Sequence, residues 1–164
     1  MAEKRQKMVA SGIAIPTEDR KKLAAILNQT LANLADLKTH AKHIHWNLRG
    51  DNFLSYHKFA DKVADEADNA ADLVAERCAQ IGGFVYGLLS QASKASSLPA
   101  FPEENNNQEE CMESLLESIT YISKYCRANI EATQDLGDMA TSDMYIDITR
   151  AFDKLLWMIT ASIV

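Results

Sequence analysis

Residues 45–53 read HWNLRGDNF and lie between two long stretches with a helical pattern of apolar residues. Before them, leucines recur three or four residues apart from Leu23 to Leu37, which is the spacing of one buried helix face. After them, residues 53–80 contain neither glycine nor proline. Because Arg49-Gly50 can end one helix and Asp51-Asn52 can cap the next, the sequence predicts a helical hairpin over 17–48 and 53–80.

The second half of the chain carries two more helical patterns. Apolar residues recur at helical spacing over 112–126 and 145–159, and Gly137 separates the two runs. A short helix over 85–92 is expected in the long connection before them, which Pro99 breaks. The predicted fold is therefore an all-α four-helix bundle with a short helix in the connection between its second and third helices.

The start of the chain differs from the rest. Residues 1–16 have no periodic pattern, so we predict a flexible N-terminal tail over 1–16 and one bundle domain over 17–164. Thr17 is the expected N-cap of the first helix, and Thr141-Ser142 that of the last.

Composition narrows the class of protein. The 164 residues carry a formal charge of −6, and the three cysteines form no CxxC pair, so neither a disulfide framework nor a zinc ribbon is expected. No apolar run reaches the ~20 residues of a membrane span, and no signal peptide is visible at the start. We expect a protein of the cytoplasm without a membrane partner.

Histidines and acids are concentrated around the first hairpin. All four histidines lie within 40–57, and an antiparallel hairpin would put His45 and His57 at a similar level. Five acids of the second helix fall within about 80° of one another on a helical wheel, so they form one stripe. These acids are Asp61, Asp65, Asp68, Asp72 and Glu76.

Imidazole and carboxylate together suit Fe(II), Mn(II) or Zn(II). However, Asp61 and Glu76 are fifteen residues apart, about 22 Å along a helix, so one chain cannot place both on one ion. Two copies packed antiparallel about a twofold axis could bring Asp61 of one beside Asp72 and Glu76 of the other. A solvated acidic face, with His45 in a packed helix end, is the alternative that the pattern leaves open.

A known signature covers these residues. HWNLRGDNF over 45–53 resembles the HWNLRGxNF segment of the Dps miniferritins (DNA-binding proteins from starved cells), within the ferritin-like superfamily. The continuation His57-x3-Asp61-x10-Asp72-x3-Glu76 matches that family's ferroxidase spacing. Further likeness lies in LNQTL over 27–31, IGG over 81–83 and DKLLW over 153–157. The resemblance extends over nearly all of the chain after residue 17.

The resemblance implies a ferritin-like bundle that assembles into a homo-dodecameric shell. It implies an enzyme, a ferroxidase that oxidises Fe(II) with hydrogen peroxide or oxygen, stores ferric mineral and protects DNA from oxidative damage. Iron is the only cofactor implied. By this analogy His45, His57 and Asp61 come from one subunit, and Asp72 and Glu76 from its twofold neighbour. Trp46 lies near the centre, where a redox role and simple packing are both open.

Two further features follow from the family. Acids at the positions of Asp143 and Asp147 line a threefold pore through which iron enters, and Asp135 and Asp138 are weaker pore candidates. The alternative is that these acids only stabilise a helix N-terminus. The third and fourth helices contain no histidine, so the Glu-x-x-His centre of larger ferritins is not expected.

DNA binding is the remaining open question. Basic residues of the tail, Lys4, Arg5 and Lys7, are the candidate contacts. A shell of twelve chains at −6 each would carry about −72 and repel phosphate. A protein that structures the nucleoid through this tail, with iron oxidation secondary, is the alternative function. A shell that binds another metal is a third. Bacterial cytoplasm or nucleoid is the expected location.

Overall fold

The computed structural model describes residues 6–163, and five helices account for most of them. α1 and α2 form one antiparallel hairpin, α4 and α5 form a second, and short α3 packs against α1. The predicted all-α bundle with a short connecting helix is confirmed. The helices are α1 (Thr17–Asn47), α2 (Phe53–Gln80), α3 (Leu89–Ala95), α4 (Gln108–Asp135) and α5 (Met139–Ile163).

The apolar faces read from the sequence meet in one core. Tyr145 and Phe152 of α5 are its largest fully buried side chains, and they share one core cluster with the leucines of α1. The Tyr145 hydroxyl is 2.6 Å from Thr30 Oγ1, so the only polar group of this buried side chain has a hydrogen-bond partner inside the bundle. The core also holds the thiols of Cys78, Cys111 and Cys126, which are all free.

The turn between α1 and α2 is fixed by contacts with the start of α4. Arg49 N donates to Asn106 O at 2.8 Å, and Asn52 N donates to the Gln108 side chain at 2.9 Å. Gly50 has φ +143°, and a Cβ there would collide with the Gln108 side chain. These contacts determine where α1 ends and α2 begins, and therefore how His45 and His57 face each other.

The short helix lies further along the chain than predicted. It occupies Leu89–Ala95 instead of 85–92. The backbone before it is held in an extended form by long-range bonds, since Phe84 N donates to Lys7 O at 2.9 Å and Tyr86 N to Asn28 Oδ1 at 2.9 Å. Leu88, directly before the helix, is extended with φ −73° and ψ 141°, so the helix begins only at Leu89.

Two predicted helix caps are wrong. Pro16 occupies the N-cap position of α1 without a side-chain bond, and the Thr17 hydroxyl instead accepts from Arg20 at 3.1 Å. α5 begins two residues earlier than Thr141-Ser142. Asp138 precedes it and accepts from Thr141 N at 3.1 Å. A carboxylate at that position fits the positive end of the helix dipole.

Part of the N-terminal segment contacts the bundle. Val9 N donates to Gly82 O at 2.8 Å, and Met8 and Gly83 form an isolated antiparallel bridge. Gly82 has φ +83°, and a Cβ there would lie 2.6 Å from Val9 O. Residues 1–5 lie outside the described range, and flexibility over 1–16 stays a prediction. No helix within 6–163 is long and apolar enough to cross a bilayer.

Candidate metal centre

His45 and His57 face each other across the hairpin. His45 lies in the last turn of α1 and His57 in the first turns of α2. Their rings stack with centroids 3.7 Å apart and planes inclined by 22°. The sequence predicts that the two histidines lie at a similar level of the hairpin, and the structure places their rings in contact.

Each histidine is held by the backbone of the other. His45 Nδ1 is 3.1 Å from His57 O, and His57 Nδ1 is 2.8 Å from His45 O. A carbonyl oxygen only accepts, so each Nδ1 carries a proton and donates it. In the neutral ring the lone pair then lies on Nε2. This pattern, one ring nitrogen donating to a carbonyl and the other bare, is typical of metal-binding histidines.

Asp61 lies one turn after His57, as the sequence indicated. Its carboxylate Oδ1 is 3.7 Å from His45 Nδ1, and the same oxygen forms an ion pair with Lys42 Nζ. The hydrogen bond from Lys42 lowers the pKa of Asp61 and raises the pKa of Lys42. We call His45, His57 and Asp61 the imidazole half-site.

Asp72 and Glu76 lie at the other end of α2 and are exposed. We call these two residues the carboxylate half-site. α2 is one continuous helix, so the two half-sites are about 22 Å apart in the same chain, judged from Asp61 to Glu76. In agreement, residues 6–163 contain no group of three or more His, Cys, Asp or Glu side chains that could hold an ion.

The acidic stripe of α2 is not uniform. Asp61 pairs with Lys42, and Asp68 pairs with Lys38 at 2.7 Å. Asp65, Asp72 and Glu76 form no ion pair within the described chain. The lysines of α1 were missed in the sequence, although Lys38 and Lys42 have the helical i,i+4 spacing that would align them with the stripe.

The surface beside the half-sites is unusually apolar. Trp46 is 67% exposed, so its indole does not pack into a helix end within its own chain, and Leu73 and Leu89 are 52% and 72% exposed. Trp46 and Leu89 border a cleft of about 590 Å³, and Leu73 and Asp72 border one of about 670 Å³. Exposed apolar surface of this kind marks a contact surface for another molecule.

His40 and His43 lie apart from this centre. The His40 ring stacks on Phe101 with centroids 4.3 Å apart, and its Nε2 is 3.5 Å from Asp36 Oδ1. His43 meets the edge of the same phenyl ring. Burial lowers the pKa of His40, more than the nearby Asp36 raises it. Both histidines contact the segment that links α3 to α4, and neither contacts His45 or His57 in the structure.

The pore candidates fall into two groups. Asp143 and Asp147 are exposed on the first turns of α5, where Asp147 pairs with Arg150 at 2.8 Å. Asp138 is buried and accepts both Arg77 NH2 bonds, at 2.8 and 2.9 Å, so it caps α5 and is not open to a pore. Burial alone would raise the pKa of Asp138, but the bonds from Thr141 and Arg77 hold it below its usual value.

Of the candidate DNA contacts, only Lys7 lies in the described range. Its carbonyl accepts from Phe84 N, and its ammonium lies 5.2 Å from the centre of the Phe84 ring. Lys4 and Arg5 lie outside the described residues. Lys7 is therefore placed beside the bundle, at the loop that follows α2.

Known proteins share this fold and much of this sequence. The profile of the ferritin-like domain family matches residues 24–164. The DNA protection during starvation protein of Agrobacterium fabrum is 31% identical over 149 residues, which are 91% of this chain and 92% of that one. The protein of the same name from Listeria innocua is 32% identical over 136 residues, 82% of this chain and 87% of that one.

Solved structures agree. DpsC from Streptomyces coelicolor superposes with a TM-score of 0.92 at 25% identity, covering 100% of this chain and 96% of its own. Dps from Staphylococcus aureus gives 0.83 at 29% identity, covering 92% and 99%. With the paired histidines and the spacing of α2 acids already described, these matches show that the chain belongs to the Dps miniferritin family of ferritin-like proteins.

Proposed function

We propose that this protein is a ferroxidase and iron store that oxidises Fe(II) at the two half-sites and holds the ferric product in a shell. The observation that carries the proposal is the mutual support of His45 and His57. Each Nδ1 donates to the other residue's carbonyl, which leaves both Nε2 atoms free to bind a metal. Asp61 adds an oxygen donor beside them.

The second part of the proposal concerns assembly. Asp72 and Glu76 of a twofold-related copy complete the centre, because the same chain cannot bring them to its own histidines. The exposed Trp46, Leu73 and Leu89 around the half-sites support a contact between copies at this face. The proposed shell is a dodecamer with a mass of about 218 kDa, from chains of 18.2 kDa.

The ligands account for the chemistry. Imidazole nitrogens bind Fe(II), and carboxylate oxygens, being hard anionic donors, favour the higher charge of Fe(III). Two Fe(II) ions each give up one electron, and one hydrogen peroxide with two protons accepts both electrons to form two waters. The reaction removes Fe(II) and peroxide together, so hydroxyl radical cannot form from them. This is how the protein would protect DNA without touching it.

Iron needs a route into the shell. We assign this role to Asp143 and Asp147, which are exposed at the start of α5. Arg150 partly neutralises Asp147, so Asp143 is the stronger cation contact of the two.

Stopped-flow oxidation of Fe(II) by peroxide, and separately by oxygen, tests the proposal. His57→Ala and Glu76→Ala should each slow oxidation by at least about tenfold, because a lost ligand costs no less than a lost second-shell partner. His40→Ala is the matched control for the histidine and Asp65→Ala for the acid, and both should stay near wild type. Wild-type rates in His57→Ala and Glu76→Ala would contradict the site.

A further inference from the structure

The turn between the two metal-facing histidines is attached to α4 on both sides. After α1, Arg49 N donates to the carbonyl of Asn106, and before α2, Asn52 N donates to Gln108 Oε1 at 2.9 Å. Asn52 is the N-cap residue of α2, and its own side chain makes no cap hydrogen bond. The start of α2 is therefore held by a side chain that comes from another helix.

The Gln108 side chain fits closely into this turn. The residue is 9% exposed. A Cβ on Gly50 would lie 2.4 Å from its Cδ and Oε1 atoms, so glycine at position 50 leaves room for the amide. The amide nitrogen donates to Glu109 Oε1 at 2.8 Å, while its oxygen accepts from Asn52. Both ends of the amide are thus in use, which fixes its orientation in the turn.

The imidazole half-site depends on how the two helices are aligned. His57 lies five residues after Asn52, and its Nδ1 is 2.8 Å from His45 O, while His45 Nδ1 is 3.1 Å from His57 O. A slip of one residue would move His57 by about 1.5 Å along α2 and by about 100° around it, which would break both bonds. Because ligands must be held to within about 0.5 Å of their working geometry, even a smaller shift would disturb them.

We propose that Gln108 is a positioning residue for the metal centre, acting from a helix that supplies no metal ligand. It fixes the start of α2 and thereby the mutual support of His45 and His57. The inference rests on the proposed function, because it takes both histidines as ligands. Without the Gln108 oxygen, the Asn52 amide loses its acceptor and the first turn of α2 loosens. Each ring then samples orientations in which Nε2 does not face the ion.

Calorimetric titration of the assembled protein with Co(II), used in place of Fe(II), measures the effect. Gln108→Met keeps the length of the side chain but has no oxygen, so it should bind about tenfold more weakly, as when an outer-shell partner is lost. Gly50→Ala, whose added Cβ would displace the amide, should weaken binding by a similar factor. Gln108→Glu keeps an oxygen for the Asn52 amide and should stay within about threefold of wild type.

Tyr145→Phe is the matched control, because it removes another buried hydrogen bond, the one to Thr30. Both Gln108→Met and Tyr145→Phe should lower Tm, but only the first should weaken Co(II) binding, with native mass measured on each variant.

Wild-type affinity in Gln108→Met or in Gly50→Ala would overturn the proposal for Gln108. The same loss of affinity in Gln108→Glu or in Tyr145→Phe as in Gln108→Met would also overturn it. His57→Ala tests the proposed function separately, since wild-type binding of Co(II) by that variant would show that the metal site itself is wrong.

Discussion

The two ends of α2 differ in how much of the centre one chain builds alone. At the N-terminal end, the two histidine rings are stacked and each is fixed by the other's backbone. At the C-terminal end, Asp72 and Glu76 are exposed and have no ion pair or side-chain hydrogen bond within residues 6–163. The imidazole half-site is ordered within the chain, whereas the carboxylate half-site is left for another molecule to use.

The difference has a chemical reason. An imidazole binds a metal through one nitrogen in the ring plane, so its tautomer and orientation must be set beforehand. A carboxylate offers two oxygens with several lone pairs and tolerates more variation in approach. The rigid donors therefore gain most from support within one chain, and the adaptable donors can be brought by a neighbour.

Mixing damaged subunits gives the largest expected effect. Chains with His57→Ala and chains with Glu76→Ala are each inactive in the proposal, but a mixed shell combines an intact imidazole half-site from one with an intact carboxylate half-site from the other. Random mixing in equal amounts makes about one quarter of the centres intact, so about one quarter of the wild-type rate should return.

Co-expression of the two variants, followed by stopped-flow oxidation of Fe(II), measures the recovery. The control is a mixture of the two shells after assembly, which should stay inactive because subunits are not exchanged. A centre formed within one chain would give no recovery in either preparation. That result would contradict the proposal that the two ends of α2 serve different centres.

The next largest effect is expected on stability, when the ion pair that anchors the C-terminal end of α2 is removed. Arg77 follows Glu76 and donates to Asp138 and Thr141, so it joins the end of α2 to the start of α5. The side chains of Arg77 and Asp138 are 15% and 3% exposed. Arg77→Met leaves a buried carboxylate without its cation, which should cost about 3 kcal/mol or more and lower Tm by roughly 10 °C.

Thermal unfolding at fixed protomer concentration measures this loss. Arg127→Met is the matched control, because Arg127 pairs with Asp153 across α4 and α5 but both side chains are about half exposed. Such a pair contributes ~1 kcal/mol or less. Equal losses of Tm in the two variants would show that the buried pair at Asp138 stabilises the protein no more than the exposed pair at Asp153.

Much of the imidazole half-site could be predicted from the sequence, because its geometry is local. His45 and His57 flank a short turn, so an antiparallel hairpin brings them together whatever the rest of the chain does. The helical period likewise places Asp61 one turn from His57. The proposed division of the centre between two chains rests on the rise per residue alone.

The remaining features depend on contacts between distant segments. The position of α3 was wrong by four residues at its start because the amides of Phe84 and Tyr86 bond to Lys7 and Asn28. The predicted cap of α5 was wrong because Arg77, 61 residues away in the sequence, holds Asp138 at the start of the helix by a hydrogen bond. Lys38 and Lys42 were missed because their spacing places them on one face of α1 but does not indicate that this face meets the acids of α2.

His40 offers a smaller test on the N-terminal half of the molecule. Burial lowers its pKa below the ordinary 6.5, against the opposing effect of Asp36. The unfolded chain therefore binds a proton more readily than the folded one, so stability is lost as the pH falls from about 6.5. When the pH is lowered from 7.5 to 5.5, the Tm of wild type should fall further than the Tm of His40→Gln. Parallel losses in the two proteins would contradict this assignment.

The smallest effect is expected at the N-terminal segment, which meets the C-terminal end of α2. Lys7 lies beside Phe84, and the chain carries −6 overall, so an assembled shell should repel phosphate. In gel shifts at about 150 mM salt, neither full-length protein nor a deletion of residues 1–7 should retard DNA. A tail-dependent, salt-sensitive shift would instead favour the nucleoid-structuring alternative. Because the deletion removes Lys4, Arg5 and Lys7 together, such a shift would assign DNA binding to this basic segment as a whole.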